Sequence, residues 1–263
     1  MNFSALLRAL VFSVTGMLLI STSNAQTLRI GLAEDPDILD PSLARTFVGR
    51  IVFNSLCDKL FDLDEKLAIV PQLATGYEWS ADQKALTIKL RPGGTFHDGE
   101  KMDAAAVKYS LERHKTMPGS NRRGELAPVT GVDVLDPQTV RLNLAAPFAP
   151  LLAVLTDRAG MIVSPKAAQA AGDKFGAAPV CSGPFRFVER VAQDRIVVER
   201  FANYWNKGAI NFERIVYTPI IDATVRLANL RSGQLDFIER MAPSDVPGLK
   251  SDSRFKISRI VEI

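Results

Sequence analysis

Apolar positions along the chain recur with two periods, and the two alternate in short segments. Leu86, Ile88 and Leu90 alternate with Thr87, Lys89 and Arg91, the period-two pattern of a half-buried strand. Val132 and Val134, then Val140, Leu142 and Leu144, make two more alternating runs around Asp136-Pro137 and predict a hairpin. Thr27 to Leu32, Phe185 to Val191, Ile196 to Arg200, Ile215 to Tyr217 and Leu235 to Ile238 read as further strands, and Phe255 to Ile263 as a last one. Helical spacing appears at Phe47, Ile51, Val52, Leu56 and Leu60, which predicts a helix over Phe47 to Phe61 with Cys57 beside its stripe. Asp103 is an N-cap for a helix to about Lys115, with Val107 and Leu111 inward and His114 at their edge. Asp222 caps another, with Val225, Leu227, Ala228 and Leu230 on its apolar face and Gly233 just past its end. Shorter helical pieces are expected at Leu151 to Leu155, after Ser164-Pro165, and at Ser244 to Leu249. Strands and helices mix without strict alternation, so the fold class is α/β to α+β.

Two stretches are punctuation. Residues 33–41, Ala-Glu-Asp-Pro-Asp-Ile-Leu-Asp-Pro, hold two prolines and four acidic residues and read as a loop. His97-Asp98-Gly99-Glu100 reads as a tight turn with positive φ at Gly99.

A hydrophobic fraction of 47% over 263 residues suffices for one sizeable core or two smaller ones. The formal charge of +3 is small, and no basic stripe marks a nucleic-acid surface. Arg122-Arg123 reads as a solvated loop. The first 25 residues carry an export signal: Arg8, then an apolar run from Ala9 to Ile20, then Ser23-Asn24-Ala25 before Gln26. The run is too short to span a bilayer, and no cysteine follows it to carry a lipid anchor. Export without an anchor implies a periplasmic location and no membrane insertion after cleavage. In that oxidising compartment Cys57 and Cys181 form one long-range disulfide or remain two buried thiols.

No constellation for catalysis emerges. There is no Gly-x-Ser-x-Gly elbow, and Pro184 forbids the turn that a nucleophilic Ser182 would need. Asp35, Asp37 and Asp40 lack the glycine and distal glutamate of a calcium loop. No catalytic residue, metal site or cofactor is therefore expected.

Seven elements, in order, resemble solute-binding protein family 5, the peptide-, glutathione- and nickel-binding proteins of ABC importers. They are Leu39-Asp40-Pro41; Ile69-Val-Pro-Gln-Leu-Ala74 with Trp79; Leu90-Arg-Pro-Gly-Gly-Thr-Phe-His-Asp-Gly-Glu100; the Asp103 helix with Val107, Tyr109 and Ser110; Pro179-Val-Cys-Ser-Gly-Pro-Phe185; Asn203-Tyr-Trp205; and the Arg226 helix with Ser232-Gly-Gln-Leu-Asp236. Cys181 stands where the family usually has glycine.

The resemblance implies a clam-shell of the type II periplasmic-binding-protein kind. Residues 26–54 and 179–263 would form an incomplete first lobe, with a smaller domain at 55–178 inserted in it. The third domain, which closes over ligand, is expected to be absent from this chain. A fragment or truncated product is therefore expected, with an exposed apolar face and unpaired sheet edge in the first lobe. It should bind ligand weakly or not at all. The implied role is capture of peptides or related small solutes for permease subunits and their ATPase. The alternatives are a chemosensory or chaperone-like binding protein, a periplasmic hydrolase, or a non-functional truncated product. The resemblance places Arg45, Thr46 and Phe47 on the first-lobe wall and brings Arg122 and Arg123 toward the cleft, where guanidinium groups suit a carboxylate. It also brings the segments of Cys57 and Cys181 together, making a bridge between them feasible.

Overall fold

The structure, a computed structural model, describes residues 26–258. The expected leader at 1–25 and the last part of the expected terminal strand lie outside the described residues.

The chain begins with strand β1 (Thr27–Leu32) and helix α1 (Phe47–Leu56). Strands β2 (Phe61–Leu63) and β3 (Ile69–Pro71) form a separate two-stranded hairpin. Strands β4 (Ala74–Trp79) and β5 (Ala85–Leu90), helix α2 (Ala104–Thr116), and strands β6 (Val129–Asp136) and β7 (Thr139–Leu144) follow. These four strands make an antiparallel sheet in the order β4-β5-β7-β6. Its inward residues Leu86, Ile88, Leu90, Val140 and Leu142 are buried with Val107 and Leu111 of α2, as their alternation predicts. Asp103 caps α2, accepting from the N–H groups of Ala105 and Ala106 at 3.0 Å each.

Short helices α3 (Leu151–Val154) and α4 (Pro165–Ala171) lead to β8 (Phe185–Val191), β9 (Arg195–Arg200) and β10 (Arg214–Pro219). Helix α5 (Ala223–Arg231), β11 (Phe237–Ile238) and α6 (Val246–Lys250) complete the chain. The second sheet runs β11-β1-β10-β9-β8. In it β1 lies parallel to both β10 and β11, so three strands end on the same side, at Leu32, Pro219 and Ile238. Two-residue β11 and bulged β8 are its edges.

Two apolar clusters result. The buried residues of one lie within 60–162; those of the other join residues 30–57 to residues 161–217. The disulfide Cys57–Cys181, with Cα atoms 4.9 Å apart, ties the end of α1 to the segment entering β8. Gly183 is needed there, because a Cβ would lie 2.5 Å from the Leu56 carbonyl carbon. A buried polar cluster joins the two clusters. Arg113 of α2 makes a bidentate pair with Asp40, at 2.9 and 2.6 Å, and donates to Ser42 Oγ at 2.7 Å. His114 Nδ1 lies 2.8 Å from Ser42 Oγ and its Nε2 lies 2.9 Å from the Met161 carbonyl.

Four expectations change. Helix α1 stops at Leu56 instead of continuing to Phe61. Cys57 turns extended into its disulfide, and Leu60 and Phe61 belong to the other cluster. His114 is fully buried, not at an edge. Val225 is 48% exposed and Ala228 is exposed too, because α5 turns Arg226 and Leu227 inward. Residues 255–258 carry no strand.

Candidate functional site

In open α/β sheets, ligands bind beyond the carboxyl ends of parallel strands, where the connections diverge. Here that edge is formed by Ala33 after β1, Ile220 after β10, and Glu239-Arg240 after β11. The start of α1 lies beside it, since the Arg240 guanidinium sits 4.9 Å from the centre of the Phe47 ring. The Arg50 guanidinium approaches the same ring at 5.9 Å.

Hydrogen bonds hold this wall in place. Glu239, buried, accepts from the Ala33 N–H at 2.8 Å and faces Arg240 Nε at 3.3 Å. Asp37 accepts from the Arg45 N–H at 2.9 Å and from the Thr46 hydroxyl at 3.1 Å. Burial alone would raise the Asp37 carboxyl. The N–H groups of Arg45 and Ile38 and the Thr46 contacts outweigh it and hold Asp37 below the ordinary carboxylate value. Because Thr46 turns its hydroxyl to Asp37, no side chain caps α1. Arg50 is held by Asp157 at 2.7–3.2 Å.

Arg240 is in the left-handed region, φ +52°, which is uncommon outside glycine. Arg226, 3% exposed, over-determines that conformation. Its Nη2 donates to the Arg240 carbonyl at 2.7 Å while Nη1 takes the Ile220 and Ile221 carbonyls at 2.5 and 2.8 Å. One buried guanidinium thus fixes two of the three connections at the sheet's carboxyl edge.

The residues expected to face the cleft divide into two groups. Arg45 is exposed and Thr46 and Phe47 are half-buried on the wall. Arg122 and Arg123 are placed differently. The Arg122 side chain is buried, pairs with Glu125, and donates to the Ala44 carbonyl at 3.3 Å. Arg123 donates to the Lys115 carbonyl at 3.1 Å, at the C-terminal end of α2. Arg158, also buried, donates to the carbonyls of Ala44 at 3.0 Å and Thr46 at 3.3 Å, supporting the wall from behind. Arg158, Glu239 and Arg240 were not evident in the sequence. Only the parallel pairing of β1 with β11, a contact between residues 207 positions apart, brings Glu239 and Arg240 to this edge.

The Ser42–His114 contact has the spacing of a nucleophile and its base. Both residues have 0% exposure and Arg113 already donates to Ser42 Oγ, so the contact serves as an internal clamp. Burial, only partly offset by the bond to the Met161 carbonyl, pushes His114 down to about 4 and keeps it neutral.

The profile of the bacterial extracellular solute-binding proteins, family 5 (middle region), matches residues 68–262. The chain belongs to this family. A glutathione-binding protein of Pectobacterium atrosepticum is 34% identical over 200 residues, covering 76% of this chain and 39% of the relative. The periplasmic binding protein AgaA of A. tumefaciens R10, solved with agropinic acid, superposes with a TM-score of 0.82 at 31% identity, covering 87% of this chain and 46% of that one. The peptide-bound DppA of Helicobacter pylori superposes with a TM-score of 0.78 at 24% identity, over 87% of this chain and 49% of that one, and shows the shared fold. The chain spans about two fifths of the length of the curated relatives it matches. These relatives are binding proteins. Among the described residues no helix is long and apolar enough to cross a membrane.

Proposed function

We propose that this chain is part of the substrate-binding component of an ABC importer, working in the periplasm and capturing peptides or related small solutes for a membrane permease. Residues 1–25 act as its export leader. The observation that carries the reading is the wall at the carboxyl ends of β1, β10 and β11. It is rigidly held: the guanidinium groups of Arg240 and Arg50 lie 4.9 and 5.9 Å from the centre of the Phe47 ring, and Arg45, exposed, stands two residues before that ring in the chain. Planar guanidinium groups over an aromatic face favour a solute with a carboxylate and an adjoining apolar part. Glutathione and agropinic acid, named with two relatives, both carry carboxylates. The buried Arg122 supports this wall through the Ala44 carbonyl, whereas Arg123 caps the end of α2.

In this reading residues 26–54 and 179–263 belong to the first lobe, and residues 55–178 form the inserted domain. The cluster whose buried residues lie within 60–162 supports an independent core for that domain. The segment carrying Ala168 and Phe175 packs with the first lobe instead. Because the chain spans about two fifths of the length of its curated relatives, affinity for this stretch alone is expected to be weak.

Calorimetry on residues 26–263 with glutathione, dipeptides and a sugar–amino acid conjugate tests the reading. Weak binding that falls roughly tenfold in Arg240→Ala, about 1.4 kcal/mol, is expected. Binding that is unchanged in both Arg240→Ala and Arg45→Ala would place the solute elsewhere.

A further inference from the structure

The β2–β3 hairpin carries an apolar tip that the solute site does not use. Leu63 and Ile69 pair directly across it and are 36% and 39% exposed, and Leu67 at its apex is 52% exposed. All residues from 63 to 69 are exposed, whereas Phe61 at the hairpin's base is fully buried and packs edge-on against Tyr77 at 5.6 Å.

The tip is rigid. The Asp64 N–H donates to the Ala68 carbonyl at 3.0 Å, and the Asp64 carbonyl accepts from the Leu67 N–H at 2.9 Å. Its carboxylate accepts from the N–H groups of Lys66 at 2.8 Å and Ala68 at 2.9 Å. This turn holds Leu67 at φ +62°, a left-handed position where glycine or asparagine is the unstrained choice. A large apolar side chain is therefore presented to solvent by a preformed turn, against both backbone preference and burial. Such strain, over-determined by its surroundings, marks functional positions. Preorganisation also lowers the cost of docking.

Charge selects the occupant. Asp62 is paired with Lys59 at 2.7 Å, and at the tip itself Asp64 and Glu65 outnumber Lys66. An acidic rim is repelled by anionic lipid headgroups and by the same rim on a second copy. It complements a protein socket that is apolar at its centre and basic at its edge.

We propose that the β2–β3 tip is a docking knob that inserts into a basic-rimmed apolar socket on the periplasmic face of the importer's membrane permease. This rests on the reading of the chain as an importer component. The test is a photocrosslinking amino acid placed at position 67 in the native bacterium, with the exposed Lys174 position as control. An adduct at 67 and not at 174, mapped by mass spectrometry to a permease loop bearing Lys or Arg beside apolar residues, is expected. The Leu63→Ser/Ile69→Ser double variant should abolish it without lowering thermal stability. No adduct, or one to lipid, to a second copy or to a soluble protein, overturns the proposal. Calorimetry on Leu67→Gly separates this from the solute site: solute affinity should be unchanged, and a loss would show that the tip serves solute rather than a partner.

Discussion

Single residues here act through burial and backbone geometry more than through sequence motif. Arg240 illustrates this: its left-handed backbone and its stack on Phe47 both depend on Arg226, and neither is visible in a linear pattern. Arg240→Gly removes the strain and the guanidinium together. Its unfolding free energy should stay within about 1 kcal/mol of the parent while solute affinity falls, a split read by urea titration and calorimetry. Titration gives a second expectation. Burial is the main cause in both histidines: it lowers His97 to about 4 against the raising bond to the Gly183 carbonyl, and it lowers His114 to about 4. Burial raises Asp58 to about 7 against the lowering bonds from Trp205 and Tyr204. Below pH 6.5 the unfolded chain protonates histidines that the folded chain keeps neutral, so their contribution is lost as pH falls toward 4. Asp58 acts oppositely: its contribution is present at acid pH and is lost as pH rises through about 7. Two histidines outweigh one aspartate, and stability at pH 4 should be about 2 kcal/mol below that at pH 7. Asp58→Asn should steepen that slope. A slope that is flat or reversed in the parent chain would contradict the assignment.

At the scale of elements, local signals were legible wherever a strand or helix stands on its own chemistry. The Leu86–Leu90 alternation, the Asp103 and Asp222 caps and the hairpin at Asp136-Pro137 all formed as their patterns predict. Elements whose ends are decided by distant partners were not legible. The stripe from Phe47 to Leu60 continues smoothly in sequence, yet the helix breaks at Cys57 because its bonding partner, Cys181, lies 124 residues away. The two-stranded β2–β3 hairpin gave no period-two signal, since its outward residues Leu63 and Ile69 are apolar. The disulfide closes a loop of that length. In the chain-entropy account its removal in Cys57→Ser/Cys181→Ser costs about 4–5 kcal/mol in unfolding free energy, measured against denaturant. A loss below about 1 kcal/mol would show that the Leu56–Gly183 contact alone holds the end of α1.

At the scale of the whole molecule, the family and its α/β character were legible from motif order, and the solute wall only in part. Arg45, Thr46 and Phe47 sit on it, whereas Glu239 and Arg240 join it only through parallel pairing of strands remote in sequence. The Asp40–Arg113–Ser42–His114 cluster gives Leu39-Asp40-Pro41 a structural role: it anchors the loop leading to the wall against helix α2. The most direct test of the central claim is residue-resolved. Backbone amide signals of residues 26–258 would be followed by NMR while a carboxylate-bearing dipeptide is titrated to millimolar concentration. Shifts concentrated at residues 45–49, at Ala33 and at 239–240, and absent in Arg240→Ala, are the predicted result. Shifts centred elsewhere, or no shift at those positions, would contradict the assignment of the solute site to the carboxyl ends of β1, β10 and β11.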